Sequence, residues 1–130
     1  MNKEKIRVAI VGTGRISDLH AIEYMQNPNA EIVALCDTNI ELAKNRAKKW
    51  GCSESVLIVD EFDKILKDNN IDVVELLLPH HMHVNAALKA IEAGKIVSLQ
   101  KPMCLNIHEA DILVNAVEQY DKPFKIFENF

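Results

Sequence analysis

Two glycines, an aspartate, a lysine and three histidines are the residues whose types and spacing could do chemistry. Gly12 and Gly14 sit in VAIVGTGRIS, between the β-branched run Val8–Val11 and a segment that starts at Arg15 with helical character. A helix that begins at the end of a strand aims free backbone N–H groups and its positive dipole end outward, which suits a phosphate. Gly12 permits the tight turn, and Gly14 lets a pyrophosphate approach the backbone without meeting a Cβ. The third position of that glycine pattern is Ser17, small enough to pack the helix on the strand. Ordinary turns also use glycine pairs, so the pattern alone proves little.

Asp37 ends the next apolar run, 23 residues after Gly14. A carboxylate there can accept hydrogen bonds from both hydroxyls of an adenosine ribose. It can also cap the helix that follows, or do both. A ribose 2′-phosphate would meet the charge of Asp37, and Thr38 and Asn39 rather than Arg or Lys come next. NAD is therefore favoured over NADP, unless Arg15 folds back over the ribose. Lys101 stands before Pro102 in VSLQKPM, residues 97–103. A residue before proline is held to extended backbone, which restricts the direction of the amine. Beside a bound nicotinamide cation, like charge and partial desolvation would both lower its pKa and suit it to proton transfer. An ordinary lysine on a strand-end loop has the same local sequence. His80, His81 and His83 lie in LLLPHHMHVNAAL, which starts at Leu76. They resemble metal ligands at first sight, but no Asp or Glu joins them at useful spacing. They read as polar helix-start residues, one of which packs or touches a ligand, and no metal is expected.

Positioning these groups requires strands whose ends share one rim, and the chain alternates accordingly. Strands are expected at Ile6–Val11, Glu31–Cys36, Val56–Val59, Asp72–Leu78 (apolar apart from Glu75), Ile96–Leu99 and Lys125–Phe127. Between them fall helices over Arg15–Gln26, from a cap at Asp37 or Thr38 to Trp50, from a cap at Asp60 to Lys67, from Pro79 to Ala93, and from a cap at Asn106 to Tyr120. In the first helix Ile16, Leu19, Ile22 and Met25 are expected to face the core. A βα unit repeated in this way gives an α/β, three-layer, doubly wound Rossmann fold with a mainly parallel six-stranded sheet.

Composition narrows the function classes. The chain has 130 residues, 48% of them apolar, and a net charge of −4. It is long enough for one well-packed domain. No apolar run approaches the roughly 18 residues of a membrane helix, and an acidic, unpatterned surface argues against nucleic acid. Neither a membrane nor a nucleic acid is expected as partner. The start of the chain lacks the apolar block of a signal peptide. Cys36, Cys52 and Cys104 form no CxxC pair and read as reduced thiols, so a cytoplasmic location is expected. Cys104, near the proposed site, is expected to be a packed thiol.

Together these motifs resemble the N-terminal domain of the Gfo/Idh/MocA oxidoreductases, the glucose–fructose oxidoreductase and inositol dehydrogenase family. The resemblance covers essentially the whole chain. GTGRIS and LCD, ending at Asp37, look like the family's first two strand ends. PHHMH is similar to its Pro-Asn-x-x-His, with Pro79 and His83 on the pattern. AIEAGKIVSLQKPM is similar to its A-x-x-A-G-K-x-V-x-x-E-K-P, with Lys101 and Pro102 on the signature pair. Gln100 replaces the usual Glu, Leu78 the usual Thr or Ser, and His80 the usual Asn.

The resemblance implies hydride transfer between a nicotinamide cofactor and a secondary alcohol of a sugar, cyclitol or similar polyol. Gly12, Thr13, Gly14, Arg15 and Ile16 would hold the pyrophosphate, and Asp37 with Thr38 the adenosine ribose. Leu78, Pro79, His83 and Gln100 would line the nicotinamide side. Lys101 would orient the substrate hydroxyl and assist its proton. It further implies that residues 1–130 are the dinucleotide-binding domain alone. A C-terminal domain that binds substrate and forms homo-oligomers would be absent, so this piece is expected to turn over little by itself. Apolar surface near Phe124–Phe130 would then be exposed. Two other readings stay open: an NAD-dependent glycosidase of the same family, and a nucleotide-responsive module without catalysis.

Overall fold

The computed structural model describes residues 5–14, 16–79, 82–100, 115, 116, 118, 119 and 124–127. Six strands make one sheet: β1 (Ile6–Val11), β2 (Ala30–Cys36), β3 (Leu57–Val59), β4 (Val73–Leu76), β5 (Ile96–Gln100) and β6 (Phe124–Phe127). Their order is β3-β2-β1-β4-β5-β6 and every pairing is parallel. The helices α1 (Ser17–Met25), α2 (Ile40–Lys49), α3 (Phe62–Leu66) and α4 (His83–Glu92) connect them. This is the doubly wound arrangement expected from the alternation of elements.

Strands buried on both faces explain the near-continuous apolar runs of β1 and β4. Side chains of β1 alternate between two cores. Ala9 and Val11 join Ile65 of α3 and Ala86, Ala87 and Ala90 of α4 on one face. Val8 and Ile10 join Ala21 of α1 and Ala43 and Ala47 of α2 on the other. Alanines at these positions let the helices approach the sheet closely. The strand order turns back at β1, with β2 on one side and β4 on the other, so a crevice opens at the carboxyl ends of β1 and β4. That is the topological switch point at which open α/β sheets bind ligands.

Several local expectations are corrected. Leu19, Ile22 and Met25 do not face the core; they are 68%, 44% and 48% exposed. A three-residue step falls about 60° short of a full turn, so four residues so spaced spread over half the helix circumference. The buried face is instead Ser17, His20 and Ala21, with Tyr24 packed against the core. The cap of α2 is Asn39, whose side chain accepts from the Leu42 N–H at 3.1 Å, rather than Asp37 or Thr38. Asp37 is engaged elsewhere. The residue at the N-cap of α3 is Glu61 rather than Asp60, and its side chain makes no capping bond. α4 begins at His83 rather than Pro79; the Met82 N–H donates to the Pro79 carbonyl at 2.9 Å and closes a turn first. β4 ends at Leu76, two residues early; the Leu77 N–H makes the last bond to β1, to the Val11 carbonyl at 2.8 Å. The expected Asn106–Tyr120 helix lies largely outside the described residues, where 115, 116 and 118 are helical. No helix among the described residues is long and apolar enough to cross a membrane.

Candidate functional site

The glycine turn is fixed by backbone bonds on both sides. Gly12 donates its N–H to the Cys36 carbonyl at 2.8 Å, at the end of β2. Its φ is +97°, a conformation only glycine adopts cheaply, and a Cβ there would overlap the Leu77 carbonyl. Gly14 differs: among the described residues, nothing beyond its chain neighbours lies within 4 Å of where its Cβ would be. The space above its backbone is open, as a cradle for a phosphate requires. Ser17 is fully buried, donates its N–H to the Gly14 carbonyl at 3.1 Å and bonds the same oxygen through Oγ. The third position of the glycine pattern therefore both packs the helix and ties down the turn.

Asp37 faces that turn from the end of β2. Its Oδ2 accepts from the Thr13 N–H at 2.9 Å and the Thr13 hydroxyl at 2.7 Å, while Oδ1 accepts from the Asn39 N–H at 2.8 Å. Partial burial opposes the charge, but the bonds from Asn39 and Thr13 outweigh it and hold the carboxyl below the usual aspartate range. A neighbouring thiol is silenced. Burial, then the charges of Asp37 and Asp60, push Cys36 up to about 11, so it stays protonated.

These groups border a cavity of about 850 Å³. Of the residues expected from sequence, Gly12, Gly14, Ile16, Asp37, Thr38, Leu78 and Pro79 line it. Thr13 is fully buried behind the turn rather than on its surface. Gln100 ends β5 and His83 starts α4, as backbone positions. Arg15, His80, His81, Lys101, Pro102 and Cys104 lie outside the described residues. Sequence reasoning missed Asp60, Phe62, Met82, Asn85 and Lys89, which also line the cavity. Asp60 and Phe62 follow β3, and the rule that parallel strands end on one rim could have found them.

Behind the site, Asp18 in the first turn of α1 gathers the last turn of α2. It accepts from Lys49 Nζ at 2.9 Å and Trp50 Nε1 at 2.8 Å, with Arg46 Nη1 at 3.9 Å. The cations offset a negative charge placed close to where an anion would dock. Those contacts, the Lys49 bond first, keep the Asp18 carboxyl below its ordinary 3.8. Its contribution to stability is thus present above about 3.8 and fades as pH falls further. Asp18→Ala should cost about 1–2 kcal/mol in urea unfolding at neutral pH, since it strands the Trp50 N–H. The deficit should shrink in acid.

Fold and cleft define a dinucleotide-binding α/β domain. The chain belongs to the Gfo/Idh/MocA oxidoreductase family, whose NAD-binding Rossmann fold matches residues 6–127. It is 33% identical over 111 residues to an uncharacterized oxidoreductase of Rhizobium meliloti, covering 85% of this chain and 32% of that one. It is 30% identical over 123 residues to the D-glucoside 3-dehydrogenase of Escherichia coli K12, covering 94% and 34%. Its fold matches that of scyllo-inositol dehydrogenase from Lactobacillus casei, solved with NAD(H) and scyllo-inositol, with a TM-score of 0.85 at 24% identity, over 95% and 36% of the two chains. The chain thus spans about a third of the length of these relatives. It is an NAD(P)-binding oxidoreductase domain with a glucoside dehydrogenase among its relatives and the fold of an inositol dehydrogenase.

Proposed function

We propose that residues 1–130 form the cofactor-binding domain of an NAD-dependent dehydrogenase that oxidises a secondary alcohol of a sugar, cyclitol or similar polyol. The observation that carries NAD over NADP is the carboxylate of Asp37, a cavity-lining residue held in place by Thr13 and Asn39. A 2′-phosphate would meet that charge, whereas a ribose diol would donate to it. The related glucoside and inositol dehydrogenases support the substrate class.

When bound, a nicotinamide supplies hydride acceptance; the chain supplies position and charge. Gly12, Gly14, Arg15 and Ile16 hold the pyrophosphate at the start of α1. Asp37 and Thr38 hold the adenosine ribose. Leu78, Pro79, His83 and Gln100 border the nicotinamide end. Lys101 orients the substrate hydroxyl and takes part in removing its proton. The wall that encloses the substrate, and the contacts that build a homo-oligomer, belong to a further domain of the full-length cytoplasmic enzyme. This piece alone should therefore reduce little or no NAD⁺ with sugars or inositols.

A thermal-shift comparison tests the cofactor. NAD⁺ at ten times its dissociation constant should stabilise the protein by about 1.4 kcal/mol, and NADP⁺ at the same concentration by clearly less. Equal or reversed shifts would refute the choice of NAD, and no shift with either would refute the site.

A further inference from the structure

The side chain of Thr13, inside the glycine turn, is spent entirely on another protein group. It is fully buried, so it offers no surface to a ligand. Its N–H and its hydroxyl both donate to the same oxygen of Asp37, at 2.9 and 2.7 Å. Its carbonyl accepts from Arg46 Nε at 3.1 Å, so the last turns of α2 brace the residue from behind. The Asn39 N–H holds the other Asp37 oxygen. An aspartate has two side-chain torsions, and these three bonds fix both.

Resting on the reading of Asp37 as the ribose-binding residue, we propose that Thr13 is the positioning residue that sets ribose specificity. It locks the Asp37 carboxylate with its charge and remaining lone pairs toward the cavity, where a 2′-hydroxyl can donate and a 2′-phosphate is repelled. Without the hydroxyl, the carboxylate keeps one donor fewer and gains freedom to swing off the rim. The diol then loses a fixed acceptor, and the phosphate loses part of the repulsion. The turn and its partner aspartate thereby act as one recognition unit, although only one of them touches the ligand.

The test is titration calorimetry of the protein with NAD⁺ and NADP⁺. Thr13→Val keeps the shape and removes the hydroxyl; Thr13→Ala does so without leaving a methyl against the carboxylate, in case the valine variant folds poorly. Each should weaken NAD⁺ about fivefold to tenfold, a part of the worth of one charge-assisted hydrogen bond, since the bond lost is to Asp37 and not to the ligand. NADP⁺ affinity should hold or improve, so the selectivity ratio falls by at least the same factor. Thr13→Ser should restore the ratio, which a purely structural role would not demand. An NMR titration of the unliganded protein should show the Asp37 carboxyl rising in both hydroxyl-free variants, because a bond to its charged form is gone. Asp37→Asn separates the two readings. If it abolishes the preference for NAD⁺ while Thr13→Val and Thr13→Ala retain it, the positioning role is overturned and the ribose role of Asp37 stands. If Asp37→Asn retains the preference, both fall together.

Discussion

Gly12→Ala should lose about 3 kcal/mol or more of unfolding free energy, a large share of the 5–15 kcal/mol that holds a typical domain. Two costs add. At φ +97° an L side chain strains its own backbone, by roughly 1–2 kcal/mol. The new methyl would also overlap the Leu77 carbonyl, which is backbone and cannot rotate away. Leu77 is pinned because its N–H donates to the Val11 carbonyl at 2.8 Å, the last bond between β4 and β1. Relief would require parting β1 from β4 at the rim where the cavity opens. Gly14→Ala is the control: its φ is not positive and its Cβ would meet nothing beyond its chain neighbours among the described residues, so stability should stay within about 0.5 kcal/mol. Dinucleotide affinity should nonetheless fall, since the methyl occupies the approach to the turn. Urea unfolding and NAD⁺ titration of both variants check this. A Gly12→Ala protein within 1 kcal/mol of wild type would show that the close approach to Leu77 is not obligatory.

The division of labour between these glycines bears on how much could be read in advance. Strand existence, parallel order and the rim position of Asp37 were legible because they depend on apolar runs and on where those runs stop. The cap of α2 was not. Asp37, Thr38 and Asn39 are all competent caps, and the competition was settled by Thr13, a residue 24 positions away that claims the Asp37 oxygen. The core face of α1 was misread for a related reason: apolar side chains at three-residue spacing looked decisive, whereas the polar Ser17 and His20 are the buried ones. Polar burial is decided by partners that apolar periodicity does not record: the Gly14 carbonyl for Ser17, and Glu75 of β4 beside His20. Pro79 is not the helix start because a turn closed from the Met82 N–H to the Pro79 carbonyl comes before α4. Asp60 and Phe62, which line the cavity just after β3, were within reach of the rule that parallel strands end on one rim.

Tyr24→Phe should be the next most damaging change, at about 2–4 kcal/mol, although it removes one oxygen far from any ligand. Glu75 interrupts the apolar run of β4 with a carboxyl group that is fully buried. Its strand lies between β1 and β5, opposite Ile10 and Ser98. The Tyr24 hydroxyl donates to Oε1 at 2.9 Å, and His20 Nδ1 lies 3.6 Å from the same oxygen. Among the described residues Oε2 has no hydrogen-bond partner. Removing the hydroxyl therefore withdraws the strongest donor from an acid that water does not reach. Two further measurements separate this account from a simple loss of packing. In the Glu75→Gln background, Tyr24→Phe should cost at least about 1 kcal/mol less, because a neutral amide tolerates a missing donor better than a carboxylate does. The pH dependence has a definite sign. Burial, then the charge of Glu75 and its hydrogen bond, raise the Tyr24 hydroxyl well above its ordinary 10. The unfolded chain releases that proton first, so the wild type loses stability as pH climbs from about 10 toward the raised value. Phenylalanine carries no such proton, so the gap between the two proteins should narrow in urea unfolding above pH 10. A gap that stays constant across that range would mean that the hydroxyl does not serve Glu75.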